Sequence, residues 1–250
     1  MPRFFIRQEQ VSGEEIRITG DDARHISFSL RMAVGESVTV CDMQGVEYDC
    51  EISEFSEGEV ILRVMSSQKS ENEPRVKVTL YQALPKGDKL DSVIQKAVEC
   101  GVSKIVPFES ERCIVRIKSD AEEKKRVRRC RIAEEASKQC GRSTIPDVTL
   151  PQSFDKMLEA AKKSDACIFC YEGEGTVSLG KILSGLSLDT KDRDFEIAVV
   201  IGSEGGFSVN EVEKARECGF YLVGLGKRIL RTETAPIFVL SSIVLFSELM

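Results

Sequence analysis

Two glycine-bearing loops hold the residues best placed to do chemistry. The first is Ile201-Gly202-Ser203-Glu204-Gly205-Gly206-Phe207-Ser208. The second is Leu225-Gly226-Lys227-Arg228-Ile229-Leu230-Arg231-Thr232-Glu233-Thr234-Ala235. Glycines let a backbone approach a ligand closely, and Arg228, Arg231 and Glu233 on one loop are more charge than a turn needs. A carboxylate can take a proton, and a guanidinium can steady a developing anion. Each loop follows an apolar run that reads as a buried strand, and α/β proteins bind ligands at the carboxyl ends of such strands.

Three further constellations fall short of the chemistry they suggest. Gly175-Thr176-Val177-Ser178-Leu179-Gly180-Lys181-Ile182 nearly spells a phosphate loop, but the residue after the lysine must hold magnesium and Ile182 cannot ligate. A loop entering a helix at Ser178 is the better reading. Cys167-Ile168-Phe169-Cys170 has redox or zinc spacing, yet it sits in an expected strand, where residues three apart point to opposite faces. There is no second such pair, so buried thiols acting as small apolar side chains fit better. His25 is the single histidine, which removes HExxH zinc sites and any centre built on several imidazoles. It could act as a base, but it lies away from both loops, so a structural or RNA-contacting role suits it better.

The elements that must position the two loops come from periodicity. Val38, Val40, Val46, Tyr48, Cys50 and Ile52 alternate in the strand manner, and Val60, Leu62 and Val64 repeat the pattern. Turns are expected at Gln44-Gly45 and Glu57-Gly58, and one short helix over 21–30. Several short strands in 70 residues suggest a small barrel. The polar stretch 66–74 reads as a linker. Strand and helix then alternate. Strands are expected over 76–84, 104–108, 167–172, 197–202 and 221–225. Leu90, Val93, Ile94, Ala97 and Val98 carry helical spacing closed by Gly101. Ser119 with Glu122, and Ser208 with Glu211, spell capping boxes, and Gly219 ends the second of these helices. An apolar helix closes the chain. The result is an α/β parallel sheet with helices on both faces.

Composition narrows the function classes. The chain has 250 residues, 35 basic and 41 acidic, for a net charge of -6, with 42% hydrophobic and 30% charged residues. That is a globular mix and excludes disorder and collagen-like repetition. Residues 1–74 carry 7 basic and 15 acidic side chains, 75–150 carry 17 and 11, and 151–250 carry 11 and 15. The basic excess concentrates at Lys124, Lys125, Arg126, Arg128, Arg129 and Arg131, which is either a solvated helix face or a polyanion-binding one. Nine cysteines cannot all pair within one chain, and no signal-peptide pattern opens the sequence, so free thiols in a reducing cytoplasm are expected. The stretch 235–249 is too short and too polar to span a bilayer.

At the two loops the sequence resembles the bacterial small-subunit ribosomal RNA N3-uridine methyltransferases of the SPOUT superfamily. The likeness runs along the whole chain, through Pro2-Arg3-Phe4-Phe5, Arg24-His25 to Leu30-Arg31, Lys86-Gly87-Asp88-Lys89, and Glu135 to Gly141-Arg142. The family usually has Pro where Ser203 and Lys227 stand here. The resemblance implies a PUA-like β-barrel over residues 1–70 and a SPOUT methyltransferase domain over residues 75–250 with a trefoil knot at its carboxyl end. It also implies a homodimer, S-adenosylmethionine as methyl donor, one uridine of 16S rRNA in the small ribosomal subunit as acceptor, and neither metal nor membrane.

Chemistry then sets demands on that implied site. Uracil N3 carries a proton at neutral pH, so the site must remove it and stabilise an anion spread over O2 and O4. Candidate bases are Glu172, Glu204 and Glu233, and candidate cations are Arg142 and Arg231. Arg231 as activating cation, Glu204 as base and Arg142 as a further catalytic group form the favoured set. Cofactor contacts are expected from Leu84, Tyr171, Glu172, Ile201, Gly202, Gly205, Gly206, Leu225, Gly226, Arg228, Ile229, Leu230, Thr232, Thr234 and Ala235. RNA contacts are expected from Arg3, Arg24, His25, Arg31, Lys124, Lys125, Arg128 and Arg129. Two rivals remain. A non-catalytic RNA-binding protein of the ribosome would not need two ligand loops. A Rossmann reductase would need a glycine-rich loop after the first strand, where Ala83-Leu84-Pro85-Lys86-Gly87 supplies one glycine.

Overall fold

The chain divides into two compact units, Met1–Glu73 with Ser137–Ile145 and Pro74–Ala136 with Pro146–Met250. The structure is a computed structural model and describes residues 1–117, 119–186 and 194–249, without the side chains of Ser119 and Asp120.

The first unit is a six-stranded sheet. Its strands are β1 (Arg3–Phe5), β2 (Val11–Ser12), β3 (Glu15–Thr19), β4 (Ser37–Cys41), β5 (Val46–Ser56) and β6 (Glu59–Lys69), in the order β1-β4-β5-β6-β3-β2. All pairs are antiparallel except β1 with β4. The alternating residues Val38, Val40, Cys50, Ile52, Val60 and Leu62 all face the core with Ile16 and Ile18. Between β3 and β4 lies α1 (Gly20–Arg24), continued by one π-helical turn over His25–Ser29. The linker reading of 66–74 needs correction. Ser66, Ser67, Gln68 and Lys69 continue β6 and pair with Asp49, Tyr48, Glu47 and Val46. Their side chains are polar because this end of the strand is exposed, while the ladder is made by backbone groups that side-chain composition does not report.

The second unit is built on an eight-stranded sheet in which every pair is parallel. In chain order its elements are β7 (Val76–Ala83), α2 (Lys89–Glu99), β8 (Lys104–Glu109), α3 (Ser119–Cys140, whose end from Ser137 belongs to the first unit), β9 (Asp147–Val148), β10 (Gln152–Ser153), α4 (Phe154–Ala161), β11 (Ala166–Cys170), β12 (Val177–Ser178), α5 (Leu179–Gly185), β13 (Phe195–Ile201), α6 (Val209–Glu217), β14 (Tyr221–Gly224) and α7 (Ala235–Glu248). The strand order is β10-β8-β7-β13-β11-β14-β12, with β9 also on β8. Ile197, Ala198, Val199 and Val200 are wholly buried, as a central parallel strand covered on both faces requires. Leu90, Val93, Ile94, Ala97 and Val98 form the buried stripe of α2. Ser208 and Glu211 make the expected capping box at α6, and the near-phosphate-loop motif is simply the entry to α5 after Ser178. The Ser119 side chain lies outside the described residues; Glu122 of its expected box accepts from Lys125 at 2.7 Å. Helix α7 packs on α2, α5, β7 and β13. Because β7, β13, β11 and β14 are parallel neighbours, the segments that follow them all leave from one edge of the sheet.

Candidate active site

Along that edge lies a cavity of about 600 Å³, lined by the segments that follow β11, β13 and β14. Phe207 lines it and is backed by aromatic rings: it lies 4.2 Å from Phe169, centroid to centroid, and stacks on Phe108 at 6.4 Å. Phe207 fixes the first loop, because a Cβ on Gly202 would fall 3.1 Å from its ring and 3.3 Å from the Gly206 Cα. The Gly206 amide closes the turn on the Ser203 carbonyl at 2.9 Å. In the second loop Gly226 takes φ +107, a conformation that side-chain-bearing residues rarely adopt.

A buried polar contact ties the two loops together. Thr232 Oγ1 donates to the Gly202 carbonyl at 2.7 Å and accepts from Gln82 Nε2 at 3.0 Å. Gln82, at the end of β7, is fully buried and also donates to the Ala83 carbonyl at 3.1 Å. Outside this contact lies an ionic one. Lys89 Nζ stands 2.8 Å from Glu204 Oε1 and 3.5 Å from Glu233 Oε2. The Lys86 amide also donates to Glu204, at 3.3 Å. Burial pushes the Glu204 carboxyl up, but the Lys89 hydrogen bond, the backbone amides and the Lys89 charge outweigh it and hold the group below the usual carboxylate range. Glu204 is therefore a weakened proton acceptor. Glu172 also lines the cavity, and its carboxylate has no hydrogen bond or ion pair among the described residues. Arg228 and Arg231 line it too, both exposed and neither paired with a carboxylate among the described residues.

Most of the site expected from sequence converges here. Tyr171, Glu172, Ile201, Gly202, Glu204, Gly206, Leu225, Gly226, Arg228, Ile229, Leu230, Arg231, Thr232 and Ala235 all line the cavity. Ser203 and Lys227 line it as well. Leu84, Gly205 and Thr234 stand behind the lining: the Leu84 amide bonds the Phe108 carbonyl, the Gly205 carbonyl accepts from Arg112 Nη1, and the Thr234 amide bonds the Arg231 carbonyl. Arg142 is not among the cavity's lining residues. It belongs to the first unit, where it is buried with Nη2 2.7 Å from Glu73 Oε2. Lys89, Arg112 and Gln82 escaped the sequence reading. Lys89 sits only three residues after Lys86 at the start of α2, but nothing local shows that it faces two carboxylates more than 100 residues away.

The cavity loops fall inside a match to the RNA methyltransferase domain family over residues 71–244, and residues 18–65 match the RNA methyltransferase PUA domain. Over 257 aligned residues the chain is 35% identical to the ribosomal RNA small subunit methyltransferase E of Bacillus subtilis, covering 100% of this chain and 98% of that protein. The chain belongs to the ribosomal RNA small subunit methyltransferase E family. A Legionella pneumophila methyltransferase solved with bound SAM superimposes with a TM-score of 0.83 at 30% identity, over 97% of this chain and 96% of that one. The family's enzyme from Neisseria gonorrhoeae, bound to S-adenosyl methionine, gives 0.81 at 30% identity over 98% and 97%.

The residues expected to touch RNA in this family member divide into exposed and committed groups. In the first unit Arg24, His25 and Arg31 are exposed. Arg3 is mostly buried, 3.0 Å from Glu47. In the second unit Lys124 is exposed, Lys125 pairs with Glu122 at 2.7 Å and Arg128 pairs with Asp91. Arg129 is buried 3.7 Å from Glu122, and burial lowers its pKa, so its charge faces the protein. Among the described residues no cluster of three or more His, Cys, Asp or Glu could hold a metal, and no helix is long and apolar enough to cross a membrane.

Proposed function

We propose that this chain is an S-adenosylmethionine-dependent methyltransferase that acts on N3 of one uridine in 16S rRNA of the small ribosomal subunit, in the cytoplasm. One observation carries the reading: the two glycine loops, 30 residues apart at Gly202 and Thr232, close on each other around a single cavity in a chain whose relatives include enzymes solved with that cofactor. The cavity fits the group. Its volume of about 600 Å³ lies in the usual range for small-molecule sites. Ile201, Phe207, Leu225 and Leu230 give it apolar walls, and the glycine loops offer backbone donors and acceptors for an adenine and a ribose.

When bound, S-adenosylmethionine supplies a sulfonium methyl group that is already electrophilic. The protein's task is then to make N3 nucleophilic. Glu172 is the base in this proposal, because Glu204 and Glu233 share Lys89. The N3 proton passes to the Glu172 carboxylate, which leaves an electron pair on N3. With the cofactor bound, that pair would take up the methyl group as the methyl–sulfur bond breaks, and the electrons of that bond would return to sulfur, leaving S-adenosylhomocysteine. The Arg231 guanidinium, unpaired with any carboxylate among the described residues, stabilises the charge on the uracil oxygens. Exposed Arg24, Arg31 and Lys124 supply phosphate contacts, which position RNA without reading its sequence.

Assembly belongs to the same proposal. Phe238 and Leu245 of α7 are 44% and 46% exposed on an apolar helix that buries Ala235, Pro236, Val239, Leu240 and Ile243, which suits a homodimer seam. A trefoil knot at the carboxyl end belongs to the same proposal and rests on the family resemblance. The test is to incubate the protein with labelled S-adenosylmethionine and small subunits from cells lacking this methyltransferase, then map the label. Methyl groups on N3 of one uridine are expected. Cofactor binding without methyl transfer, or label on another atom, overturns the assignment.

A further inference from the structure

Three segments far apart in sequence meet at one ammonium. Lys89 opens α2, Glu204 sits in the loop after β13 and Glu233 in the loop before α7, and Lys89 Nζ reaches the two carboxylates at 2.8 and 3.5 Å. The Lys86 amide adds a second hold on Glu204. We infer that Lys89 is a positioning residue: it clasps both cofactor loops to the start of α2 and so sets the cavity in its ligand-ready shape. The inference rests on the reading of this cavity as the S-adenosylmethionine site.

The physics of the pairing agrees from both ends. Hydrogen bonding to Glu204 leads the causes that raise the Lys89 pKa, and Glu204 is held below the ordinary carboxylate range despite its partial burial. Two carboxylates brought together without a cation would repel each other, and here each sits on a different loop of the cavity. One ammonium removes that repulsion and joins the loops. About a third of each side chain is exposed, so solvent screening keeps each single contact small. The effect on the ligand comes from ordering two loops before binding rather than from the ion pairs themselves.

The test is a double-mutant cycle on the full chain, read by calorimetric affinity for S-adenosylmethionine and by hydrogen exchange of the two loops without ligand. Lys89→Gln should weaken binding about fivefold and speed exchange in both loops. Lys89→Arg should recover most of the affinity, since it restores the charge. Glu204→Gln alone should weaken binding by less, and combining it with Lys89→Gln should cost clearly less than the two separate losses together. Strict additivity, or unchanged exchange in either loop, overturns the clasp. If the wild-type chain itself binds no S-adenosylmethionine, the assignment of the cavity fails instead, and exchange of the ligand-free loops still judges the clasp.

Discussion

Thr232→Val isolates the buried contact between the two loops. Valine keeps nearly the shape of threonine but loses the hydroxyl. The Gly202 carbonyl then loses its donor at 2.7 Å and keeps only a distant Gln82 Nε2 at 3.5 Å, while Gln82 loses its acceptor at 3.0 Å. Each such bond is worth roughly 1 kcal/mol net, and a buried group left unpaired costs somewhat more, so about 2 kcal/mol is at stake. If that cost falls on holding the loops together, affinity for S-adenosylmethionine drops about thirtyfold. Isothermal calorimetry measures it directly, and single-turnover methylation at saturating cofactor separates binding from chemistry. Thr232→Ser retains the hydroxyl and should stay within about threefold of wild type. Thr232→Val binding within twofold of wild type, or Thr232→Ser failing as badly as valine, refutes the argument that this hydroxyl organises the site.

Arg231→Ala should lower the single-turnover rate on the order of 10²-fold with RNA affinity nearly kept, and Arg231→Lys should rescue only partly; loss confined to cofactor binding would make Arg231 a loop organiser instead. Glu73→Gln removes the carboxylate that lies 2.7 Å from the buried Arg142 guanidinium and should cost about 3 kcal/mol in urea unfolding at neutral pH. Burial raises the Glu73 carboxyl, but Arg142, the Thr144 bond and the Ser143 amide outweigh it and lower its pKa in the fold. The wild type therefore holds this stabilisation above the unfolded-state carboxylate range and loses it as pH falls through the lower folded value; the glutamine variant should lack that acid slope, and an equal slope in both proteins would count against the pair. Phe238→Asp places a charge on the exposed apolar side of α7 and should yield monomers by light scattering; an active dimer would move the seam elsewhere.

Sequence alone determined most of the longer elements and the edge that carries the site, but not the outer end of β6, whose exposed polar residues read as a linker. Periodicity reports which face of a segment is buried, and that is why Val60 and Leu62, the stripe of α2 and the apolar run of β13 were legible. The capping box of Ser208 with Glu211 and the two glycine loops are local in the same sense: their meaning is complete within a few residues. Tertiary structure decided what those residues do to one another. Arg142, Arg3 and Arg129 read as free charges in the sequence, yet each is turned onto a glutamate, at Glu73, Glu47 and Glu122. Lys89 and Gln82 read as ordinary helix and strand residues, yet they join Glu204, Glu233 and Thr232 across more than a hundred positions. Polar pairing carries no period, because a hydrogen bond or an ion pair depends on where two chains of atoms end in space. Only a parallel sheet that gathers four strand ends along one edge could bring these partners within reach.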